Sequence, residues 1–388
     1  LALVQPLAQQ LTVPLSEALD RVLAQPLLSA INVPGYDNAA MDGYALRASD
    51  VKPGQPLLVA GVALAGHAFS GRVPPGSCVR ITTGAVLPAG LDTVVMQEQV
   101  ELTQTELQQQ ILCQLVPTEG EHVRRAGEDI ASGQQVFAAG HKLRPADIGL
   151  LASIGIANVK VLRQVKVAIF SCGDELIAPG HSLPAGHIFD SNRYVIAAML
   201  QRLGVEVIDL GLLPDEPVAI EQAFKQAMTQ ADVLITSAGV SVGEADYTRQ
   251  ILLKLGQINF WQVAIKPGKP FAFGKLDNAW FCGLPGNPVS AALTFYQLVQ
   301  PLIAKLSGHA GWRPPLRLNA VAATKLKKSP GRLDFQRGIF STNANGELEV
   351  RTTGHQGSHV FSSFSQGNCF IVLERERGSV SVGETVEI

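Results

Sequence analysis

The rhythm of apolar and polar positions changes along the chain, and each change predicts a different kind of structure. Over residues 16–28 apolar side chains recur at roughly helical spacing, which predicts a helix. Through residues 34–130 no long helical period survives. Short apolar runs such as PLLVAGVAL and DTVVMQEQVEL alternate with Gly and Pro, the pattern of strands and tight turns. Residues 145–158, PADIGLLASIGIAN, return to helical spacing at Ile148, Leu151, Ala152 and Ile154. That helix is expected to pack on the first one, so the β segment reads as an insertion into a discontinuous domain.

From residue 165 strand and helix alternate. VKVAIFS, VEVIDLGLL, DVLITSAG and AWFCGLPG read as strands. SNRYVIAAMLQRLG, PVAIEQAFKQAMTQA, YTRQILLKLG and PVSAALTFYQLVQPLIAKL read as helices. Strands separated by helices imply right-handed crossovers and a parallel sheet covered on both faces. After GWRPPLRL the strand pattern returns in LRLNAVAAT, LDFQRGIF, LEVRTT, CFIVLE and TVEI. The predicted fold is a multidomain α/β plus β protein. It has a discontinuous helical N-terminal domain (1–30 and 132–163), an inserted small β domain (31–131), a central α/β parallel-sheet domain (164–312) and a C-terminal β domain (313–388).

Composition narrows the function classes. The 388 residues are 46% hydrophobic and 16% charged, which fits an ordered chain and argues against disorder. A formal net charge of -2 gives no electrostatic reason to expect nucleic acid or a membrane surface as partner. The five cysteines are odd in number and form no C-x-x-C, against a disulfide framework or zinc site, so a cytoplasmic setting is expected.

Ligands of open α/β sheets bind beyond the carboxyl ends of the strands, so candidate chemistry is sought there. Ser171-Cys172-Gly173-Asp174-Glu175 runs an apolar strand into two carboxylates, which also suit a helix cap. Asp190-Ser191-Asn192 and Asp215-Glu216-Pro217 precede helices and read equally as caps or dipole-matched acids. The sharpest signal is SAGVSVGEAD, residues 237–246, whose small residues allow close backbone approach to an anion. It is neither a Walker loop nor a dinucleotide fingerprint. Lys266-Pro267-Gly268-Lys269-Pro270 sets two lysines on a proline-bracketed turn, suited to phosphate or oxyanion. Gly283-Leu284-Pro285-Gly286-Asn287-Pro288 reads as a helix start, with Asn287 as cap and Pro288 in the first turn. Carboxylates among phosphates imply a bridging Mg²⁺. The set points to a phosphorylated or nucleotide-bearing ligand. No Ser-His-Asp triad is evident, and His355 and His359 of GHQGSH sit in a β context that does not suggest zinc.

Taken together with PGYDNAAMDGYA and RRAGEDI, the motifs SCGDEL, FDSN, SAGVSVGEADY, KPGKPFAFGKL, GLPGNPVSA and GHQGSHVFSSFSQGNCF resemble the MoeA family of molybdopterin molybdenumtransferases, to which the gephyrin E domain is related. The likeness spans nearly the whole chain in one order. It implies an elongated homodimer with a cleft shared between subunits. It implies insertion of molybdate into adenylylated molybdopterin with Mg²⁺, releasing AMP. By position, it implies cleft acids at Asp42, Asp129, Glu175, Asp215 and Asp246, the last three as metal ligands, and oxyanion contacts at Lys266 and Lys269. It further implies binding roles for Thr83, Ser237, Gly239, Ser241, Gly243, Pro285, Pro288, Arg337 and Ser358. Cys172, Ala238 and Gln262 depart from the family, which mostly carries Thr, Gly and Lys there. Molybdopterin adenylyltransferase and molybdoenzyme maturation proteins are the partners it suggests. Two rival readings are adenylylation of molybdopterin by ATP and a non-catalytic cofactor-handover scaffold.

Overall fold

The structure is a computed structural model that describes residues 2–104, 108–237 and 247–388. The chain forms two compact units, one of residues 1–11, 20–22 and 161–388 and one of residues 12–19 and 23–160.

In the first unit six strands form one sheet: β1 (Lys166–Cys172), β2 (Glu206–Leu213), β3 (Val233–Ser237), β4 (Gln257–Gln262), β5 (Pro270–Leu276) and β6 (Ala279–Leu284). Their order across the sheet is β2-β1-β3-β6-β5-β4. The first four in that order are mutually parallel, as the alternating pattern predicts. β5 runs antiparallel to β6, and β4 antiparallel to β5, so the sheet is mixed rather than wholly parallel. Sequence pattern alone misses β5 because Gly268 and Pro270 punctuate its start as a turn.

The apolar run of β1 is continuous because both its faces are covered. Val167 and Ile169 join Leu200, Phe295 and Leu302 on one side. Ala168 and Phe170 join Ile220, Phe224 and Phe281 on the other. The Phe170 and Phe224 rings meet edge to face at 5.5 Å. Such burial contributes about 1.5–3 kcal/mol for each large side chain. The expected last helix forms as Pro288–Thr294, a π-helical turn Phe295–Val299, and Gln300–Leu306. Pro301, which has no N–H to donate, follows that turn.

The C-terminal strands also form as expected, and they curl. Leu333–Thr342, Leu348–Thr352, Asn319–Ala322, Thr385–Glu387 and Cys369–Leu373 neighbour one another, and Cys369–Leu373 pairs back with Leu333–Thr342. Closure of this kind leaves few open edges. A sixth strand, Ile265–Lys266, comes from the segment between β4 and β5 and lies parallel to Leu333–Thr342. It pairs Lys266 with Asp334, carrying the lysine turn to the C-terminal sheet. A short helix, Phe361–Gln366, follows the GHQGSH motif and was not foreseen.

The second unit carries the inserted sheet, in the order Thr93–Met96, Gly43–Leu46, Ser77–Ile81, Leu57–Ala63, Gln109–Cys113, Val100–Gln104. Alternate residues of its strands feed two cores, Ala45, Val79 and Val94 in one and Tyr44, Leu46 and Cys78 in the other. The helix Pro145–Ser153 is present. The helix expected over residues 16–28 is not formed. That stretch holds a 3₁₀ turn, Leu15–Glu17, isolated bridges at Val22 and Leu23, and a two-residue strand, Leu27–Leu28. Its backbone bonds go to distant segments instead, Leu23 N–H to His141 O at 2.9 Å and Ala24 N–H to Lys160 O at 3.0 Å. Asp20 sits at φ 61 and Pro26 removes a donor, so helix could not continue through either. The spacing of Ala18, Val22 and Leu23 reflects burial of an irregular strap.

Among the described residues no helix is long and apolar enough to cross a membrane.

Candidate functional site

Register decides where the chemistry collects. Cys172 of β1 lies opposite Leu213 of β2, Ser171 of β1 opposite Ser237 of β3, and Ser237 opposite Leu284 of β6. The loops that start at residues 173, 214 and 285 therefore leave one edge of the sheet, at its carboxyl ends. Buried Asp190 ties that edge together. It accepts a hydrogen bond from the Ser171 hydroxyl at 3.0 Å and one from Arg193 Nε at 2.9 Å. Asn192 of the same motif donates from Nδ2 to Gly286 O at 2.7 Å, linking FDSN to GLPGNP.

At this edge lies a cavity of about 710 Å³, within the range of small-molecule sites. Glu175, Lys266, Lys269, Pro285 and Ser358 line it, as do Ser290, Arg332 and Gln356. The lysine turn is shaped by Gly268, which has φ +110 and lies against the helix that follows β6. A side chain there would be strained and would press on Thr294. Lys266 Nζ lies 3.4 Å from the buried Asp334 carboxylate. Lys269 and Arg332 are exposed and make no ion pair among the described residues. Against these cations the cavity sets, among the described residues, one carboxylate, Glu175, folded back over Gly173.

The GHQGSH loop forms part of the cavity wall through Gln356, Gly357 and Ser358, and Arg337 builds it. Arg337 is 2% exposed and does not line the cavity. Its guanidinium donates to Gly357 O at 2.9 Å, Gln356 O at 3.2 Å and Ser363 Oγ at 3.0 Å. Burial holds its pKa below the usual arginine value, with Asp334 opposing that shift. Gln356 Oε1 accepts the Arg337 N–H at 2.7 Å, and its amide donates to Thr352 Oγ1 at 2.8 Å. The loop is thus fixed from behind, leaving Ser358 at the cavity. Arg332, five positions earlier on the chain, lines the cavity itself.

The remaining sequence candidates fall elsewhere. Asp215 stands at the end of β2, where it accepts the Cys172 thiol at 3.5 Å. Burial, then the Asp215 carboxylate, pushes that thiol up to about 12. Ser237 closes β3, is buried, and meets the Ser171 hydroxyl at 3.4 Å. Pro288 opens the helix after β6 with Asn287 as its cap residue, as read from sequence. Gly239, Ser241, Gly243 and Asp246 lie outside the described residues, and Ser237 is the one residue of that motif within them. Among the described residues no group of three or more His, Cys, Asp or Glu could hold a metal ion.

In the other unit Asp42 and Thr83 pair closely. The Thr83 N–H and hydroxyl donate to Asp42 Oδ1 at 2.6 and 2.7 Å. These two bonds, the N–H first, hold the exposed Asp42 carboxyl below the usual aspartate value. The motifs containing Asp42 and Asp129 are joined by pairing of Asn38–Ala39 with Val123–Arg124 and by the Arg125–Asp37 bridge at 2.7 Å. Asp129 itself is exposed.

Comparison with known proteins matches three stretches of the chain. Residues 1–155 match the MoeA N-terminal region (domain I and II), residues 168–305 a probable molybdopterin binding domain, and residues 319–388 the MoeA C-terminal region (domain IV). The chain is 55% identical over 374 residues to the molybdopterin molybdenumtransferase of Haemophilus influenzae, covering 96% of this chain and 92% of that one. It is 30% identical over 424 residues to gephyrin of Dictyostelium discoideum, covering 97% of this chain and 58% of that one. The crystal structure of the molybdopterin biosynthesis MoeA protein from Pyrococcus horikoshii aligns with a TM-score of 0.80 at 30% identity, covering 99% of this chain and 95% of that one.

Proposed function

From the premise that this chain belongs to the MoeA family of molybdopterin molybdenumtransferases, we propose that it inserts molybdate into adenylylated molybdopterin with release of AMP, in the cytoplasm and as a homodimer. The observation that carries the reading is the charge of the cavity. Lys266, Lys269 and Arg332 surround it, and only Lys266 has an acidic partner within the described residues. Ammonium, guanidinium and hydroxyl donors converging on one space suit a tetrahedral oxyanion. Arg332 supplies a planar fork, the lysines compact charges, and Ser358 a hydroxyl with no other hydrogen bond among the described residues.

On this reading the protein acts by placement and charge balance. The lysine turn and Arg332 hold the oxyanion and offset negative charge that grows as the phosphate–adenylate bond breaks. The dithiolene of the substrate, and no protein cysteine, receives the metal. Cys282 and Cys78 are buried, and burial pushes both thiols up, to about 12 for Cys78, so neither offers a thiolate at neutral pH. A resident Mg²⁺ fits the donor chemistry. Glu175 faces the cavity and Asp215 stands at the neighbouring strand end, and Mg²⁺ is commonly held by one or two carboxylates with substrate phosphates and water. When bound, it would supply charge neutralisation at the phosphate linkage.

The test is turnover by the purified chain of adenylylated molybdopterin with molybdate, followed by AMP release. Absence of molybdate-dependent AMP release contradicts the assignment. ATP with unmodified molybdopterin addresses the rival adenylylation. The contribution of Arg332 and Ser358 from loops of the C-terminal region supports insertion, because adenylylation is expected of the α/β part alone.

A further inference from the structure

Among the described residues two buried side-chain polar atoms have no hydrogen-bond partner, Asn192 Oδ1 and Thr294 Oγ1. Both stand behind glycines of the same cavity. Asn192 is the residue that holds Gly286 O. Thr294 is fully buried, and its Oγ1 lies 2.8 Å from where a Cβ on Gly268 would be. Gly268 sits between Lys266 and Lys269 and lines the cavity.

Thr294 is the more telling of the two. A buried helical threonine can donate to the carbonyl four residues back, here Ser290 O. It makes no such bond, although Ser290 O also faces Gly268, at 3.5 Å from the same Cβ position. A valine would fill the space equally well without leaving a hydroxyl desolvated and unpaired. The unpaired hydroxyl therefore has its use in a state other than the one described, and the backbone of the lysine turn at Gly268 lies against it.

We propose that Thr294 is a positioning residue for the oxyanion: when molybdate occupies the cavity, the Lys266–Lys269 turn shifts and its backbone hydrogen-bonds the Thr294 hydroxyl, fixing both lysines on the anion. This rests on the cavity being the oxyanion site. The bond forms only in the occupied state, so it adds to affinity and not to the stability of the free protein.

The experiment compares wild type, Thr294→Val, Thr294→Ser and Lys269→Ala as full-length chains. Molybdate binding is measured by calorimetry, melting is followed without ligand, and turnover is measured over a molybdate series. Thr294→Val should melt no lower than wild type, bind molybdate about threefold to tenfold more weakly, and raise KM with kcat at saturation unchanged. Thr294→Ser should bind like wild type. Wild-type affinity in Thr294→Val overturns the proposal. So does equal weakening in Thr294→Ser, which would assign the effect to packing, or a clear fall in melting temperature for Thr294→Val, which would mean the hydroxyl is already bonded in the free protein. Lys269→Ala separates the two levels. If it weakens binding while Thr294→Val does not, only the positioning role falls. If it binds like wild type, the oxyanion reading falls with it.

Discussion

Replacing Arg337 by methionine removes a buried guanidinium while keeping most of its volume. In the native chain that group bonds Gly357 O at 2.9 Å, Gln356 O at 3.2 Å and Ser363 Oγ at 3.0 Å. Hydrogen bonds to a charged group contribute about 1.5–3 kcal/mol each. Relief of the guanidinium's own desolvation, the cause of its lowered pKa, offsets part of that sum. The net loss is about 2–4 kcal/mol, because the two carbonyls remain buried or half-buried with a thioether beside them. For a unit of this size that corresponds to a melting temperature lower by roughly 4–16 °C. Arg337→Lys keeps the charge but not the fork, and should fall between. Calorimetry reads the stability, and amide exchange over residues 354–358 reads the loop. The KM for molybdate should rise because Ser358 is no longer held at the cavity. A methionine variant that melts within about 2 °C of wild type, with unchanged exchange and KM, would refute the claim that Arg337 builds the wall.

Other consequences are as direct. Lys269→Ala and Arg332→Ala should each raise the KM for molybdate about tenfold to a hundredfold with little loss of stability, and unaltered KM in steady-state assays would remove both from the site. The Thr83 bonds lower the Asp42 pKa, so the stability they supply is present above the usual aspartate range and is lost as pH falls through the lowered folded value. Thr83→Val should move the Asp42 titration upward in carbon-13 NMR of the carboxyl, and no movement would contradict the assignment. The Cys172 thiol is raised to about 12, so the folded state disfavours thiolate and its contribution fades as pH rises from the ordinary thiol range toward about 12. At pH near 8 iodoacetamide should modify Cys172 only as fast as the chain opens, and labelling at the rate of a free thiol would count against that burial.

The parts of the fold that local pattern could read were those whose burial follows a simple period. β1 is apolar throughout because two cores meet on it, and its loop had to emerge at the carboxyl edge with Glu175. The strap over residues 16–28 misleads because Ala18, Val22 and Leu23 are buried at helix-like spacing while their backbone pairs with remote segments. The lysine turn was legible as an oxyanion element, but its neighbour was not. Arg332 reaches the same cavity only because Ile265–Lys266 pairs with Leu333–Thr342, a contact between segments far apart in sequence. Read along the chain, SPGRLDFQR offers two arginines in a turn-and-strand context. Nothing local says that Arg337 turns into the protein to hold carbonyls while Arg332 faces the cavity. The same limit hides Thr294, whose importance depends on a glycine of the lysine turn lying against it.

Crystals grown from the full chain and soaked in tungstate, a heavy stand-in for molybdate, would test the central claim most directly through anomalous scattering. The account predicts one strong peak in the cavity, within hydrogen-bonding distance of Lys269, Arg332 or Ser358. A peak elsewhere on the molecule, with that cavity empty at saturating tungstate, would contradict it.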